Sequence, residues 1–310
     1  MNVANGFTYF LQDFKLQGCK VGNGDSDFAG QGVVRHTVFV QIPGNLIEVA
    51  ADPAVLGGQL PDSGKLHIPD SILSLAENQN GIILVTGAAG SGKSTTLTCM
   101  IDKINSERPG HIVTIEDPIE FLHKHKKSII SQREIGIDTE SYSDALRAAL
   151  RQSPNVILLG EMRDNETMSI AMTAAETGQL VLSTLHTVGA ANTVDRIIDG
   201  FPTNQQQQIR MQLSMVLKAV ISQQLLPDTN GTLYPVFEVM VVNNAIRTMI
   251  RENKTHQIET VMQTTQGMQT MDSAVFKLFS EGIISEETAV EYASSPAMMS
   301  KKIELSRGKQ

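Results

Sequence analysis

The chain has 310 residues, of which 41% are hydrophobic and 19% are charged, a composition typical of a globular protein. A formal net charge of −8 and an aromatic content of 5% without Trp disfavour a nucleic-acid partner, because nucleic acids bind basic surfaces and stack on aromatic rings. The two cysteines, Cys19 and Cys99, are too few for a disulfide framework or a four-cysteine zinc site, which is typical of a cytosolic protein. We find no signal peptide and no membrane-spanning apolar run, so we expect any membrane role to depend on a partner.

The first seventy residues predict a small β-rich unit. Residues 33–40 and 46–49 have the apolar, β-branched composition of short strands, and a Pro-Gly turn signal separates them. We therefore expect residues 1–70 to form a β-rich unit, or part of one, with a linker that ends near Pro69.

Residues 71–310 alternate apolar strands with helical segments, the pattern of a parallel sheet covered by helices. Strands are predicted at residues 81–86, 111–115, 156–159 and 180–185. Helices are predicted at residues 94–105, at 144–152 with Ser143 as N-cap, and at 168–175 ending before Gly178. These segments predict an α/β domain with a mostly parallel sheet.

The chain changes character after the last of these strands. A helix is predicted over residues 205–224, a strand over residues 232–242, and mostly helix from Ala245 to the end. We expect these elements to complete the α/β domain with a helical C-terminal subdomain of about residues 243–310.

The strongest local signal is Gly87-Ala88-Ala89-Gly90-Ser91-Gly92-Lys93-Ser94, which fits the phosphate-binding pattern G-x-x-x-x-G-K-[ST]. The glycines let the main chain approach phosphate oxygens, Lys93 brings a positive charge to the β- and γ-phosphates, and the Ser94 hydroxyl suits Mg²⁺. The alternative is a chance glycine-rich turn, but the apolar strand before it and the helix after it favour a phosphate-binding loop. We predict ATP and Mg²⁺ as ligands, with these nucleotide-binding residues: Gly87, Gly90, Ser91, Gly92, Lys93, Ser94 and Thr95.

Polar residues able to do chemistry follow all four predicted strands. The first strand runs into the phosphate-binding loop, and the others end at Glu116 and Asp117, at Glu161, and at Ser183, Thr184 and His186. In an open α/β sheet the ligand lies outside the carboxyl ends of the strands, so we expect these groups to converge on one nucleotide. The alternative is that strands generally end at the surface, where polar residues are common. That alternative can account for a polar residue at one strand end, but it accounts much less well for polar residues at all four strand ends beside a phosphate-binding loop.

The chemistry of phosphoryl transfer to water assigns roles to these residues. The reaction needs a carboxylate that orients or deprotonates the attacking water, and groups that stabilise charge on the γ-phosphate. Glu161 is predicted to be the water-activating carboxylate, and Glu116 either shares that role or holds Mg²⁺ through water. His186 suits a γ-phosphate sensor, because an imidazole can exchange hydrogen bonds when the phosphate leaves; the alternative is a structural histidine. The basic run at residues 123–127 is interpreted as a solvated face rather than a metal or anion site.

The same motifs resemble those of the secretion ATPases, and within that family the type IV pilus retraction ATPases of the PilT type. Residues 114–120 (T-I-E-D-P-I-E) are similar to the family's Asp box, residues 160–164 (G-E-M-R-D) to its Walker B motif, and residues 184–187 (T-L-H-T) to its His box. The resemblance runs almost unbroken from about residue 69 to residue 284. It implies a RecA-like P-loop NTPase core that hydrolyses ATP.

Two features resemble the retraction branch of this family. Residues 245–252 are similar to the segment A-I-R-N-L-I-R-E of retraction ATPases, with Thr248 and Met249 as departures. Pilus assembly and type II secretion ATPases typically carry a four-cysteine zinc insertion, which two cysteines cannot build. The resemblance implies a homohexameric motor for pilus retraction and twitching motility. It would work at the cytoplasmic face of the inner membrane, on the pilus platform protein of that membrane.

The N-terminal region departs from the family, whose PAS-like domain is longer than the roughly seventy residues that precede the core here. Residues 33–41 are the nearest match to the family segment R-F-R-V-N-V-F-R-Q, and they keep one arginine, Arg35. In the family such arginines reach the phosphates bound by the neighbouring subunit. The resemblance therefore implies a truncated PAS-like unit, and Arg163 and Arg35 are the predicted phosphate-sensing arginines.

Three other functions fit parts of the sequence. The first is a pilus extension or secretion ATPase of the same family. The second is a RecA-type nucleic-acid motor, which shares the sheet and the loop but needs a basic, aromatic channel. The third is a nucleotide-gated assembly subunit without turnover, and the presence of Lys93, Glu116, Glu161 and His186 argues against it.

Overall fold

The computed structural model of this protein divides into two compact units, Met1–Gln59 and Leu60–Gln310. It describes three stretches of the chain, residues 38–42, 45–49 and 60–307. The larger unit contains the predicted phosphate-binding loop and all four strands that were expected to end near it.

The smaller unit contains a two-stranded antiparallel hairpin within its described residues. Strand β1 (Val38–Ile42) pairs with strand β2 (Asn45–Val49), so that Val38 lies opposite Val49. The two strands predicted in this region are confirmed where the structure describes them, whereas residues 33–37 lie outside the described residues. The assignment of residues 1–70 to a truncated PAS-like unit stays a prediction.

Seven strands of the larger unit form one sheet: β3 (Gly81–Thr86), β4 (His111–Glu116), β5 (Ile129–Glu134), β6 (Val156–Leu159), β7 (Leu180–Leu185), β8 (Leu217–Pro227) and β9 (Leu233–Val241). Their order across the sheet is β5-β4-β6-β7-β3-β8-β9, and all neighbours are parallel except the antiparallel pair β8 and β9. The predicted mostly parallel sheet is confirmed, and β3, β6 and β7 have the predicted boundaries. The edge strand β5 was not predicted, because its sequence IISQRE lacks a continuous apolar run.

Helices cover both faces of this sheet. They are α1 (Asp70–Leu73), α2 (Lys93–Glu107), α3 (Tyr142–Leu150), α4 (Asn165–Glu176), α5 (Ala190–Asp199), α6 (Thr203–Val216), α7 (Asn244–Arg251), α8 (Ile258–Thr264), α9 (Met271–Ser280), α10 (Glu286–Glu291) and α11 (Pro296–Arg307). In β3, Leu84 packs in the core cluster that contains Met172 of α4, whereas the next residue, Val85, packs with Met100 of α2. Successive side chains of a strand point to opposite faces, so a strand covered on both sides is apolar throughout. Among the described helices, none is long and apolar enough to cross a membrane.

The prediction of one helix over residues 205–224 is wrong. Helix α6 ends at Val216, and the chain continues from Leu217 as β8, which pairs with β3 on one side and β9 on the other. Periodicity alone does not distinguish a short apolar strand from a buried helix. Residues 217–227 form a strand because the sheet buries them on both faces: Val220 packs in the core on one face, and Ile221 packs in the core on the other.

Helix α3 begins earlier than predicted. Its N-cap is Ser141, whose Oγ accepts a hydrogen bond from the Asp144 main-chain N–H at 3.1 Å, whereas the predicted cap Ser143 lies inside the helix. The earlier start brings Tyr142 into the first turn. The predicted end of α4 is confirmed, because Gly178 follows its C-cap residue and has a φ of 109°.

The C-terminal region is mostly helical, as predicted, but its helices pack in two places. Ile246 and Ile250 of α7 are fully buried in a core cluster of the sheet. Helices α9, α10 and α11 form another cluster against the far ends of β8 and β9, where Leu226 and Val236 are buried. The boundary at about residue 243 stays a prediction.

Candidate nucleotide-hydrolysis site

The glycine-rich loop connects β3 to α2 at the carboxyl edge of the sheet. Gly87, Gly90 and Gly92 have φ values of 143°, 76° and 86°, a region that residues with a Cβ rarely adopt. A Cβ on Gly87 would lie 2.3 Å from the main-chain oxygen of Gln223 in β8. The loop is therefore folded tightly against β8, and it leads into the N-terminus of a 15-residue helix, a favourable place for a phosphate.

Lys93 is buried at the start of α2. Its Nζ donates hydrogen bonds to the main-chain oxygens of Gly87 at 3.0 Å and Ala88 at 2.8 Å. Burial lowers the pKa of Lys93, and the nearby carboxylates of Glu161 and Glu120 oppose that shift. The ammonium group thus stabilises the observed conformation of the loop, and it is attracted by the carboxylates of Glu161 and Glu120.

A cavity of about 280 Å³ lies at the carboxyl edge of the sheet, beside this loop. It is lined by most of the residues that the sequence predicted to converge: Gly90, Lys93, Ser94, Glu116, Asp117, Glu161, Arg163, Thr184 and His186. Ser183 does not line it, because its side chain is fully buried within the sheet. The residues that follow β4, β6 and β7 thus meet the loop that follows β3 in one cavity, as the parallel topology requires.

Glu161 follows β6 and is only 8% exposed. It forms an ion pair with Arg163, and its Oε2 lies 3.5 Å from Nε2 of His186. That Oε2 is buried and accepts no hydrogen bond from any described group. A buried carboxylate oxygen without a donor is costly, and it is the group to which a water in this cavity would donate.

Glu116, at the end of β4, is held more rigidly. Its Oε1 accepts hydrogen bonds from Thr114 Oγ1 at 2.6 Å and from Gln132 Nε2 at 3.3 Å. Burial raises the pKa of Glu116, and the two hydrogen bonds act in the opposite direction because they favour the ionised carboxylate. The orientation of Glu116 therefore depends on a β5 residue that was not predicted.

Two further residues of the cavity were missed from the sequence. Ser94 Oγ donates a hydrogen bond to Glu120 Oε1 at 2.8 Å, so a third carboxylate lies beside the predicted Mg²⁺ ligand. Tyr142 also lines the cavity, and a Cβ on Gly160 would lie 2.9 Å from its hydroxyl. Burial raises the pKa of Tyr142 above its usual value, so the phenol remains a hydrogen-bond donor even in alkaline solution. Glu120 belongs to the T-I-E-D-P-I-E segment, whereas Tyr142 was missed because α3 begins before its predicted start.

A second cavity, of about 240 Å³, lies on the other side of the loop. Gly92 and Thr95 border this cavity rather than the first, together with Gln223. His67 also borders it and stacks on Tyr234 with 4.7 Å between ring centroids. The second cavity is thus bordered by aliphatic and neutral polar residues together with His67 and Lys65, and by none of the carboxylates that line the first.

The two predicted arginines are placed differently. Arg163 lies at the mouth of the first cavity with a side chain that is 72% exposed. Arg35 lies outside the described residues. In the basic run at residues 123–127, Lys126 forms an ion pair with Asp102 at 2.6 Å, on the surface of α2.

These observations define a class of protein: a parallel sheet with a phosphate-binding loop and carboxylates at the adjoining strand ends is a P-loop ATPase with a RecA-like core. Residues 65–232 match the family model of "Type II/IV secretion system protein", and the chain belongs to that family.

Two relatives and one solved structure are similar over most of the chain. A "Twitching motility protein" of Neisseria gonorrhoeae is 49% identical over 264 residues, which cover 83% of this chain and 70% of the relative. A "Type IV pilus retractation ATPase PilT" of Pseudomonas aeruginosa is 50% identical over 218 residues, which cover 70% of this chain and 63% of the relative. A crystal structure of the pilus retraction motor PilT with bound ADP superposes with a TM-score of 0.75 at 50% identity, and covers 79% of this chain and 70% of that one. The resemblance identified from the motifs is confirmed.

The contact between the loop and β8 predicts unequal effects of two glycine substitutions. Gly90→Ala should cost about 1–2 kcal/mol, the usual penalty for a left-handed residue, since a Cβ there meets no atom within 4 Å. Gly87→Ala should destabilise the protein clearly more, because its Cβ would collide with the Gln223 main chain. The measurement is the free energy of unfolding in urea for both variants. Equal losses would contradict the packing of the loop on β8.

Proposed function

We propose that this protein is an ATP-driven homohexameric motor that powers type IV pilus retraction and twitching motility. The observation that carries the proposal is the convergence of Lys93, Glu116, Glu161 and His186 on one cavity. The retraction role is supported by the names of the similar proteins and by helix α7, which carries the A-I-R-N-L-I-R-E-like segment. The motor would work at the cytoplasmic face of the inner membrane on the pilus platform protein there.

The two cavities suggest how a nucleotide would bind. We place the phosphates on the glycine-rich loop at Lys93, and the base and ribose in the second cavity beside Thr95 and His67. Ser94 would hold Mg²⁺ directly and Glu116 through water. Within the described part of the chain, no three His, Cys, Asp or Glu side chains form a metal-binding group. This fits Mg²⁺ in a phosphate-transfer site, which takes one or two protein ligands and completes its shell with phosphate oxygens and water.

Hydrolysis in this arrangement uses Glu161 as the proton acceptor. Water attacks the γ-phosphorus, the bond from the γ-phosphorus to the bridging oxygen breaks, and Glu161 orients the water and accepts its proton. Arg163 and His186 flank the carboxylate, and Arg163 forms an ion pair with it. The half-exposed imidazole of His186 can exchange its contact with Glu161 for one with the γ-phosphate, which suits a sensor.

The role of Glu161 predicts a separation of binding from hydrolysis. Glu161→Gln should bind ATP with an unchanged Kd but hydrolyse it at least ~100-fold more slowly, the loss expected when a general base is removed. The matched control is Glu166→Gln, which changes an exposed glutamate paired with Arg147 outside the cavity. Isothermal titration and steady-state phosphate release measure both quantities. Near-normal turnover in Glu161→Gln would transfer the role to Glu116.

The hydrogen bonds of Glu116 predict a pH effect. Thr114→Val removes the 2.6 Å bond that favours the ionised carboxylate, so the pKa of Glu116 rises further above its usual range. Because Glu116 must be ionised to act, the acid limb of the kcat profile should move to higher pH. Thr114→Ser keeps the hydroxyl and should leave the acid limb in place. Identical acid limbs in the Val and Ser variants would exclude Glu116 from the hydrolytic step.

A further inference from the structure

The segment that follows His186 joins the nucleotide cavity to helix α5, and two consecutive main-chain N–H groups hold its end. The Gly189 N–H donates a hydrogen bond to Ser222 Oγ at 3.0 Å. The Ala190 N–H donates one to Glu238 Oε1 at 2.6 Å. Ser222 and Glu238 lie directly opposite each other in the antiparallel pair of β8 and β9. A cross-strand pair therefore fixes the start of α5, four residues from His186.

Glu238 binds a second helix with its other oxygen. Its Oε2 accepts a hydrogen bond from the Met271 N–H at 3.1 Å, and Met271 is the first residue of α9. Beside it, Val239 and Gln269 exchange main-chain hydrogen bonds of 2.8 and 3.0 Å, which attach the approach to α9 to β9. The carboxylate of Glu238 thus joins the start of α5, which leads from the nucleotide cavity, to the start of α9 in the C-terminal region. Carboxylates at helix N-termini bind strongly, because they satisfy free N–H groups and complement the helix dipole.

The middle of α5 is also joined to the C-terminal region. Thr255 Oγ1 donates to the carboxylate of Asp195 and lies 2.8 and 3.0 Å from its two oxygens. Within the loop itself, the hydroxyls of Thr187 and Thr193 lie 2.7 Å apart and tie the segment to its helix. Displacement of His186 would therefore move the loop and α5 together.

Space for such a displacement lies beside Glu238. A cavity of about 370 Å³ is bordered by the loop at Val188 and Gly189, by Glu238, and by the start of α9. The exposed Glu259 also borders this cavity and makes no contact with the loop among the described hydrogen bonds. The loop and the starts of α5 and α9 thus border open space on one side, although Ala190 and Met271 are themselves buried.

We propose that Glu238 is a positioning residue that couples the His186 loop to helix α9, so that nucleotide binding and the state of the C-terminal helices depend on each other. The inference rests on the proposed nucleotide site, and it adds the route by which that site acts on the remainder of the domain. Coupling of this kind is reciprocal: whatever binds the C-terminal helices and shifts α9 changes nucleotide affinity by the same factor. In a motor, the carboxylate of Glu238 would thus link the loop that carries the γ-phosphate sensor to the C-terminal helices.

Hydrogen exchange of the full chain, followed by mass spectrometry with and without the non-hydrolysable ATP analogue Mg-AMP-PNP, tests this coupling because the analogue keeps a γ-phosphate for His186. In the wild-type protein Mg-AMP-PNP should slow exchange both in the glycine-rich loop and in α9. In Glu238→Ala the loop should still respond while α9 does not. Glu238→Gln, whose amide oxygen can accept from only one of the two N–H groups, should give an intermediate response. Glu259→Gln, the matched control on the same cavity, should behave like the wild-type protein.

Turnover gives the second measurement. Glu238→Ala leaves two helix-start N–H groups without their acceptor and should lower the Tm, so turnover is measured well below the Tm of every variant. There kcat should fall about tenfold while the KM for ATP stays near the wild-type value, and Glu238→Gln should recover part of the loss. A response of α9 that persists in both Glu238 variants would overturn the coupling, as would a fall in Tm that accounts for the loss of turnover. A glycine-rich loop that does not respond to Mg-AMP-PNP in the wild-type protein would instead overturn the proposed nucleotide site, and the coupling with it.

Discussion

The glycine-rich loop packs tightly against Gln223 of β8, which also contacts the first turn of α2. The Gln223 main-chain oxygen lies 2.3 Å from the position that a Cβ on Gly87 would take, and its Nε2 lies 2.9 Å from the corresponding position on Gly92. Its Oε1 accepts a hydrogen bond from Thr96 Oγ1 at 2.8 Å, inside the first turn of α2. The neighbouring residue, Ser222, binds the Gly189 N–H. Two adjacent residues of β8 therefore fix both the phosphate-binding loop and the loop that carries His186.

The electrostatics of the site depend on this placement. Burial disfavours the charged form of Lys93, and the carboxylate of Glu161 restores part of that loss. Glu161 in turn has Arg163 and His186 as neighbours. Lys93, Glu161, Arg163 and His186 thus line one cavity, where a triphosphate with Mg²⁺ would add charge of both signs. We expect the contacts of Glu161 with Arg163 and His186 to change when the γ-phosphate leaves. A motor must transmit that change to the rest of the domain.

The sequence predicted the centre of the fold well, because its strands are covered on both faces. Val156–Leu159 is a continuous apolar run, and Gly81–Thr86 and Leu180–Leu185 are mostly apolar. Short apolar segments of this kind between polar loops fit central parallel strands. The strand β8 was mistaken for helix because its structure is decided by partners distant in sequence. Gln223 and Glu238 were missed as site residues for the same reason. The contacts of Gln223 arise from the pairing of β8 with β3, and those of Glu238 from the pairing of β9 with β8, and no local sequence pattern encodes either pairing.

The site residues that belong to the loop motif or that follow a strand were predicted, whereas those that lie on other elements were missed. Glu116, Glu161 and His186 follow strands of a parallel sheet, and the topology brings them to one cavity with Lys93. Gln132 and Tyr142 come from an edge strand and from a helix start, neither of which has a strong sequence signal. Arg35 lies outside the described residues, so its predicted role towards a neighbouring subunit stays a prediction.

The most direct measurement of the motor's work is made in cells. A strain lacking this gene, complemented with either the wild-type or the Glu161→Gln allele, is scored for surface pili and for twitching. If ATP hydrolysis at this site drives retraction, the Glu161→Gln strain keeps or accumulates pili and does not twitch, while the wild-type allele restores movement. Loss of surface pili in the Glu161→Gln strain would contradict the account and indicate an extension motor.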